Sequence, residues 1–119
     1  MEELLVLDYE GKGYFSHFKY GTWRIAYLNY APMFTKEGIT YLERHNETDE
    51  VFILLEGTAS LFMGEKAVET PMEKFRSYIV KKGAWHNIVV SEDAKVLIVE
   101  NADTGKSNSE YLPFRFYNS

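Results

Sequence analysis

The sequence predicts an all-β fold, a sandwich or closed barrel of about seven or eight short strands. Three observations predict it. Short runs rich in β-branched and aromatic residues recur at near-regular spacing, with turn residues between them. Aromatic residues make up 16% of the chain, with nine Tyr and eight Phe, and flat rings pack well on a pleated surface. No segment carries the apolar stripe of a helix.

The elements follow in chain order. A short apolar run, Leu4 to Leu7, precedes a Gly-rich loop around Gly11 and Gly13. Thr22 to Tyr30 is the first long strand, alternating around Arg24 and Asn29. Ala31 to Gly38 holds Pro32 and reads as a loop. Ile39 to His45 is a strand, and Asn46 to Asp49 is a polar turn that would close a hairpin onto the strand opening at Glu50. From Val51 to Leu55 that strand is wholly apolar, as suits burial on both faces. Glu56-Gly57 turns the chain into a strand from Thr58 to Met63, and Gly64-Glu65 turns it again. Glu69 to Lys74, with Pro71, reads as a polar loop. Strands are expected at Phe75 to Val80, Trp85 to Val90 and Lys95 to Glu100, joined by Lys82-Gly83 and by Ser91 to Ala94. Asn101 to Ser109 reads as irregular, and an aromatic segment with Tyr111, Phe114, Phe116 and Tyr117 ends it.

Length and charge narrow the function. A chain of 119 residues, 45% hydrophobic, suits one domain over 1–119 with one sizeable core. The net charge of −5 and the scattered Lys and Arg argue against a nucleic-acid partner. No apolar run reaches membrane-spanning length, the first residues do not resemble a secretory signal, and there is no cysteine. The expectation is a soluble cytoplasmic protein without disulfides or thiolate metal sites.

The chemistry concentrates in four residues. Strand alternation points Glu43 and His45 the same way, the hairpin would return Glu50 opposite them, and His86 opens a later strand after the Gly83 turn. Two carboxylates in one partly buried site disfavour double ionisation, and a divalent cation offsets both charges while the neutral imidazoles complete its shell. Such a donor set is fairly hard. It suits Mn(II) or Fe(II) and tolerates Zn(II) or Ni(II). The same residues admit a second arrangement, in which Glu43 pairs with Arg44 or another cation at the surface and no metal binds. Weaker candidates for ligand binding are Tyr41, Phe52, Arg24 and Tyr27. Phe52, Leu54 and Ile88 read as barrel filling, Trp85 as facing away from the pocket, and His17 as structural or exposed.

Two segments resemble the cupin superfamily. Gly38 to Gly57, GITYLERHNETDEVFILLEG, is similar to the first cupin motif in the spacing of His45, Glu50 and Gly57. Lys81 to Val90, KKGAWHNIVV, is similar to the second in Gly83 and His86. The resemblance covers roughly residues 22 to 100. Glu43 stands where the family usually has its first histidine, Lys81 where it has proline, and Val90 where it has asparagine. The resemblance implies a jelly-roll barrel, the cupin-type double-stranded β-helix, with His45, Glu50 and His86 as metal ligands and Glu43 as a substituted fourth. It also implies a small-molecule ligand, a homodimer paired through its sheets, and chemistry such as sugar isomerisation, epimerisation or dioxygenation. Glu43 or Glu50, if released from the metal, would instead serve as the general base. The alternative is a non-catalytic, metal-free binding module.

Overall fold

The computed structural model describes residues 3–16 and 21–116. His17 and Tyr117 therefore lie outside the described residues. Among the described residues, ten strands form two antiparallel sheets of five. In chain order they are β1 (Tyr14–Ser16), β2 (Trp23–Asn29), β3 (Tyr41–His45), β4 (Glu50–Glu56), β5 (Ala59–Met63), β6 (Val68–Pro71), β7 (Ser77–Val80), β8 (His86–Val90), β9 (Lys95–Asn101) and β10 (Ser109–Pro113). The first sheet runs β1-β2-β9-β4-β7 and the second β10-β3-β8-β5-β6. Single 3₁₀ turns, Pro32–Phe34 and Lys106–Asn108, are the only helical elements among the described residues, and none of these is long and apolar enough to cross a membrane. The all-β expectation holds.

The core lies between the sheets, where alternate residues of each strand meet. On the first sheet, Leu28, Val96 and Leu54 line up across β2, β9 and β4, and Ala26, Ile98 and Phe52 form the next row. The second sheet answers with Leu61, Ile88 and Val90. All of these are buried. Covering a side chain of this kind contributes about 1.5–3 kcal/mol relative to leaving it exposed. Gly57, at φ +75°, links β4 to β5. A Cβ there would sit 2.7 Å from the Ala94 Cα, so the turn needs both the left-handed backbone and the absent side chain.

Four expectations are corrected. The polar turn after His45 closes no hairpin: β3 bonds to β8 and β10, β4 to β9 and β7, and residues 46–49 carry the chain from one sheet to the other. The crossing is anchored by the Thr104 hydroxyl donating to Thr48 Oγ1 (2.9 Å) and by Asp49 accepting the Lys82 N–H (2.8 Å). β4 is fully buried on one face only, since Val51, Ile53 and Leu55 on the other keep partial exposure. The supposed loop at Glu69 contains β6, whose residues are all exposed, so no apolar alternation marked it. Two strands also form that were not expected: β1, just after the Gly-rich loop, and β10, which starts at the last residue of the irregular stretch and runs into the aromatic segment. β10 pairs with β3 along its whole length, Ser109 opposite His45 and Pro113 opposite Tyr41.

Candidate metal centre

At one end of the space between the sheets the inward residues turn polar. They surround a cavity of about 250 Å³. The second sheet contributes Glu43 and His45 from the end of β3 and His86 from the start of β8, with Glu43 directly opposite His86 in register. Facing them, the first sheet brings Glu50, the first residue of β4, beside Glu100 of β9, which in turn sits beside Arg24 of β2. The sheet-to-sheet crossing thus delivers Glu50 to the imidazoles from the opposite wall.

Glu50 Oε1 lies 3.3 Å from Nε2 of His45 and 3.3 Å from Nε2 of His86. Glu43 Oε1 is 3.9 Å from His45 Nε2. One donor atom from each of Glu43, His45 and His86 falls within 4.8 Å of the others. The outer nitrogens set the protonation of both rings. Ser109 Oγ donates to the Gly105 carbonyl (2.5 Å), so at 2.7 Å from His45 Nδ1 it can only accept. His86 Nδ1 lies 3.0 Å from the Ala84 carbonyl, which also only accepts. Each ring therefore carries its proton on Nδ1, and a neutral ring turns a bare Nε2 lone pair toward the cavity. This is the arrangement of a metal-binding histidine oriented from behind.

The result is a cluster of acceptors. Glu50 Oε1 and His86 Nε2 are buried and have no hydrogen-bond partner, although they face each other. Lone pairs brought together away from water are costly unless a cation lies among them. A proton on the imidazoles answers part of the need. Burial alone would lower the pKa of His45 and of His86, but the Glu50 carboxylate carries both above the ordinary imidazole value. Burial likewise pushes Glu50 up, and the two imidazoles overcome it and hold the carboxyl well below the usual range. A divalent ion fits the same place. Around one first-row ion, with bonds of about 2.0–2.2 Å, donors lie roughly 3–4 Å apart, a range that holds the 3.3 Å from Glu50 Oε1 to each Nε2 and the 3.9 Å from Glu43 Oε1 to His45 Nε2.

A second carboxylate stands behind the first. Glu100 is buried, and its pKa is pushed up to about 7 by burial and by the charge of Glu50. Arg24 Nε donates to it (3.1 Å), the Tyr14 hydroxyl makes a short bond to the same oxygen, and Arg24 Nη2 donates onward to the Thr104 carbonyl (2.7 Å). Glu43 sits nearer the mouth, and its carboxyl is raised by burial. Tyr41 and Tyr111 meet edge to face beside it, centroids 5.3 Å apart, and Lys106 completes the rim.

Tyr41, Phe52, Arg24 and Ile88 line the cavity. Arg24 is held by Glu100 and carbonyls rather than free for a ligand. Tyr27 is corrected: it is offset by an odd number of residues from Arg24 and lies on the outer face of the first sheet. The surface pairing of Glu43 with Arg44 is also corrected, since Arg44 binds Glu110 (2.8 Å) and stacks over Trp85 (4.5 Å). Sequence reasoning missed Glu100, Tyr14, Ser109, Tyr111 and Lys106. For Glu100 the signal was available, because it shares parity with Val96 and Ile98 in an apolar strand.

Comparison with known proteins follows the geometry. The cupin domain family (Cupin_2) matches residues 33–100. No curated protein matches the sequence. Among solved structures, a variant of Streptomyces PAC13 with uridine superposes at TM-score 0.68 and 5% identity, covering 90% of this chain and 84% of the other. Pac13 is described as a nucleoside dehydratase. A double-stranded β-helix protein of Klebsiella pneumoniae gives TM-score 0.64 at 12% identity, over 91% and 86%. A cupin-2 domain protein of Shewanella frigidimarina gives 0.60 at 19%, over 77% and 84%.

Proposed function

The chain belongs to the cupin domain family, and from that premise we propose that it is a metal-dependent small-molecule protein acting on a sugar or small organic acid. Glu43, His45 and His86 hold the divalent ion, with Glu50 as the fourth ligand. The observation that carries this reading is the cluster of inward lone pairs on Glu50 and the two imidazoles, each imidazole fixed from behind through Nδ1. When bound, the metal supplies Lewis-acid polarisation of a ligand oxygen.

The chain's own residues divide the remaining work. Glu50 is buried and held ionised, which suits a ligand better than a base. Glu43 is partly exposed at the mouth, so it is the ligand that can leave the metal, and once released its carboxylate is placed to act as a general base. Tyr41 and Tyr111 offer one wall for the flat or polar part of a ligand, and Phe52 and Ile88 close the floor against water. The cavity of about 250 Å³ matches one small molecule. The uridine held by the Streptomyces relative makes a sugar-bearing ligand a sensible first choice for screening. The working unit in this reading is a homodimer of one-domain chains, and a reducing, cytoplasmic setting suits a protein without cysteine.

The test is metal content after loading with Mn(II), Fe(II), Zn(II) or Ni(II) and exhaustive dialysis, beside Glu50→Ala. About one metal per chain, lost in a variant that stays folded by circular dichroism, supports the reading. A wild-type protein that retains none of these ions overturns it and leaves a metal-free binding module.

A further inference from the structure

Lys106 stands at the rim of the cavity and takes no part in the metal centre. It opens the 3₁₀ turn in the loop that joins β9 to β10. Polar side chains beneath that loop hold its shape. Asn108 donates to the Asp103 carbonyl (2.9 Å) and accepts the Gly105 N–H (3.0 Å), and the Thr104 hydroxyl bonds to Thr48. Asn108 and Thr104 are buried, while Lys106 is exposed. Among the described residues two cations line the cavity, Arg24 and Lys106. Arg24 is taken up by Glu100 and by the Thr104 carbonyl. No ion pair among the described residues engages Lys106, and Glu110, on the strand that follows it, is bound by Arg44.

We propose that Lys106 makes this cavity selective for a monocarboxylate, whose acid group pairs with the Lys106 ammonium at the rim while an oxygen-bearing end points to the metal centre. The charges select both sign and number. A divalent ion offsets Glu43 and Glu50, and Arg24 offsets Glu100. The loaded cavity then keeps one charge in excess, the ammonium of Lys106. A carboxylate answers it with a single negative charge. A phosphate monoester would bring nearly two, and the planar fork that suits phosphate is the guanidinium already held by Glu100. The excess is local, because the chain as a whole carries −5 and does not draw anions to its surface at large. The walls define the rest of the ligand. Tyr41 and Tyr111, edge to face, and Met33 and Phe34 line the same cavity, so the part between the two polar ends is flat or apolar.

This deepens the organic-acid part of the functional reading and rests on the metal centre assigned there. The experiment is isothermal titration calorimetry of the metal-loaded protein with 4-hydroxybenzoate, 4-hydroxyphenylacetate and 3,4-dihydroxybenzoate, each beside its neutral primary amide. The proteins are wild type, Lys106→Met, Lys106→Arg and Lys66→Met. Lys66 is an exposed lysine between β5 and β6, away from the cavity, and controls for the change in overall charge. The expected result is at least one acid bound about tenfold or more tighter than its amide by wild type and by Lys66→Met. Lys106→Met should lose that preference while binding the amide as before, which shows the cavity intact, and Lys106→Arg should restore it. Wild type that binds no acid ahead of its amide overturns the proposal. So does a preference that survives Lys106→Met, which would seat the carboxylate elsewhere in the cavity. Metal content of the same samples separates the two readings. Protein that retains no ion fails the functional reading and this one together, whereas protein that retains its ion without the acid preference fails this one alone.

Discussion

The two ends of the space between the sheets are built on the same strands and behave oppositely. Along the inner face, β4 reads Glu50, Phe52, Leu54; β9 reads Glu100, Ile98, Val96; β2 reads Arg24, Ala26, Leu28; β8 reads His86, Ile88, Val90. One end is a row of ionisable groups, and two residues further on the row is wholly apolar. Strand alternation alone does this, because each strand needs only one polar residue at an inward position near its end. The apolar end can supply stability with no help from the polar end, and the polar end can gather charges that no stable core would choose.

The separation can be broken first from the apolar end. Leu54→Ala, at a side chain only 1% exposed, should lower stability by about 3 kcal/mol in urea unfolding while leaving metal affinity within a few-fold. A comparable loss of metal binding would show that the two ends are not separable. From the polar end, Ser109→Ala removes the group that orients His45 through Nδ1. It should weaken metal binding by about 10–100-fold in a competition titration, with little change in the unfolding of the metal-free protein.

The smallest expected effect is a pH dependence peculiar to the polar end. In the metal-free protein the pKa values of His45, His86, Glu43 and Glu100 are all raised on folding, Glu100 to about 7. Each such group adds stability that is complete below its unfolded pKa and disappears as pH climbs through the folded one. Glu50 acts in the opposite sense, but its change is confined to acid below its unfolded value. The melting temperature should therefore fall by about 5 °C between mildly acidic and mildly alkaline pH. Saturating metal should remove most of that fall, because a cation replaces the protons. Differential scanning calorimetry with and without metal checks it, and parallel pH curves would sink the account.

Much of the apolar end was legible in the sequence. Phe52 and Leu54 alternate plainly, and Gly57, Gly83 and the polar turns mark strand ends with their own chemistry. The four site residues were legible too, from the parity of Glu43 with His45 and from the resemblance in two short motifs. What was not legible depends on which strand lies beside which. The crossing at residues 46–49 looks like a hairpin because a polar turn between two strands carries no sign of whether they pair or part. β6 was hidden because an exposed strand needs no apolar pattern, and β10 because its partner lies more than sixty residues away. Glu100 and Tyr27 are different cases: parity with Ile98 and with Arg24 already assigned one inward and the other outward.

The pairing of β10 with β3 also sets the order in which the molecule can be made. A ribosome delivers β3 some sixty residues before Ser109, and even after β8 has joined β3 the second sheet waits with an unpaired edge, and His45 with a free Nδ1, for the residues that follow Val90. Pairing over such separations is slow by nature, in the millisecond-to-second range for folds of this type. The loop around Gly105 and the strand that follows act as a closing seam. Until that seam is drawn shut, the nascent chain is open to proteases and to other unfinished chains along the very strand that carries its chemistry.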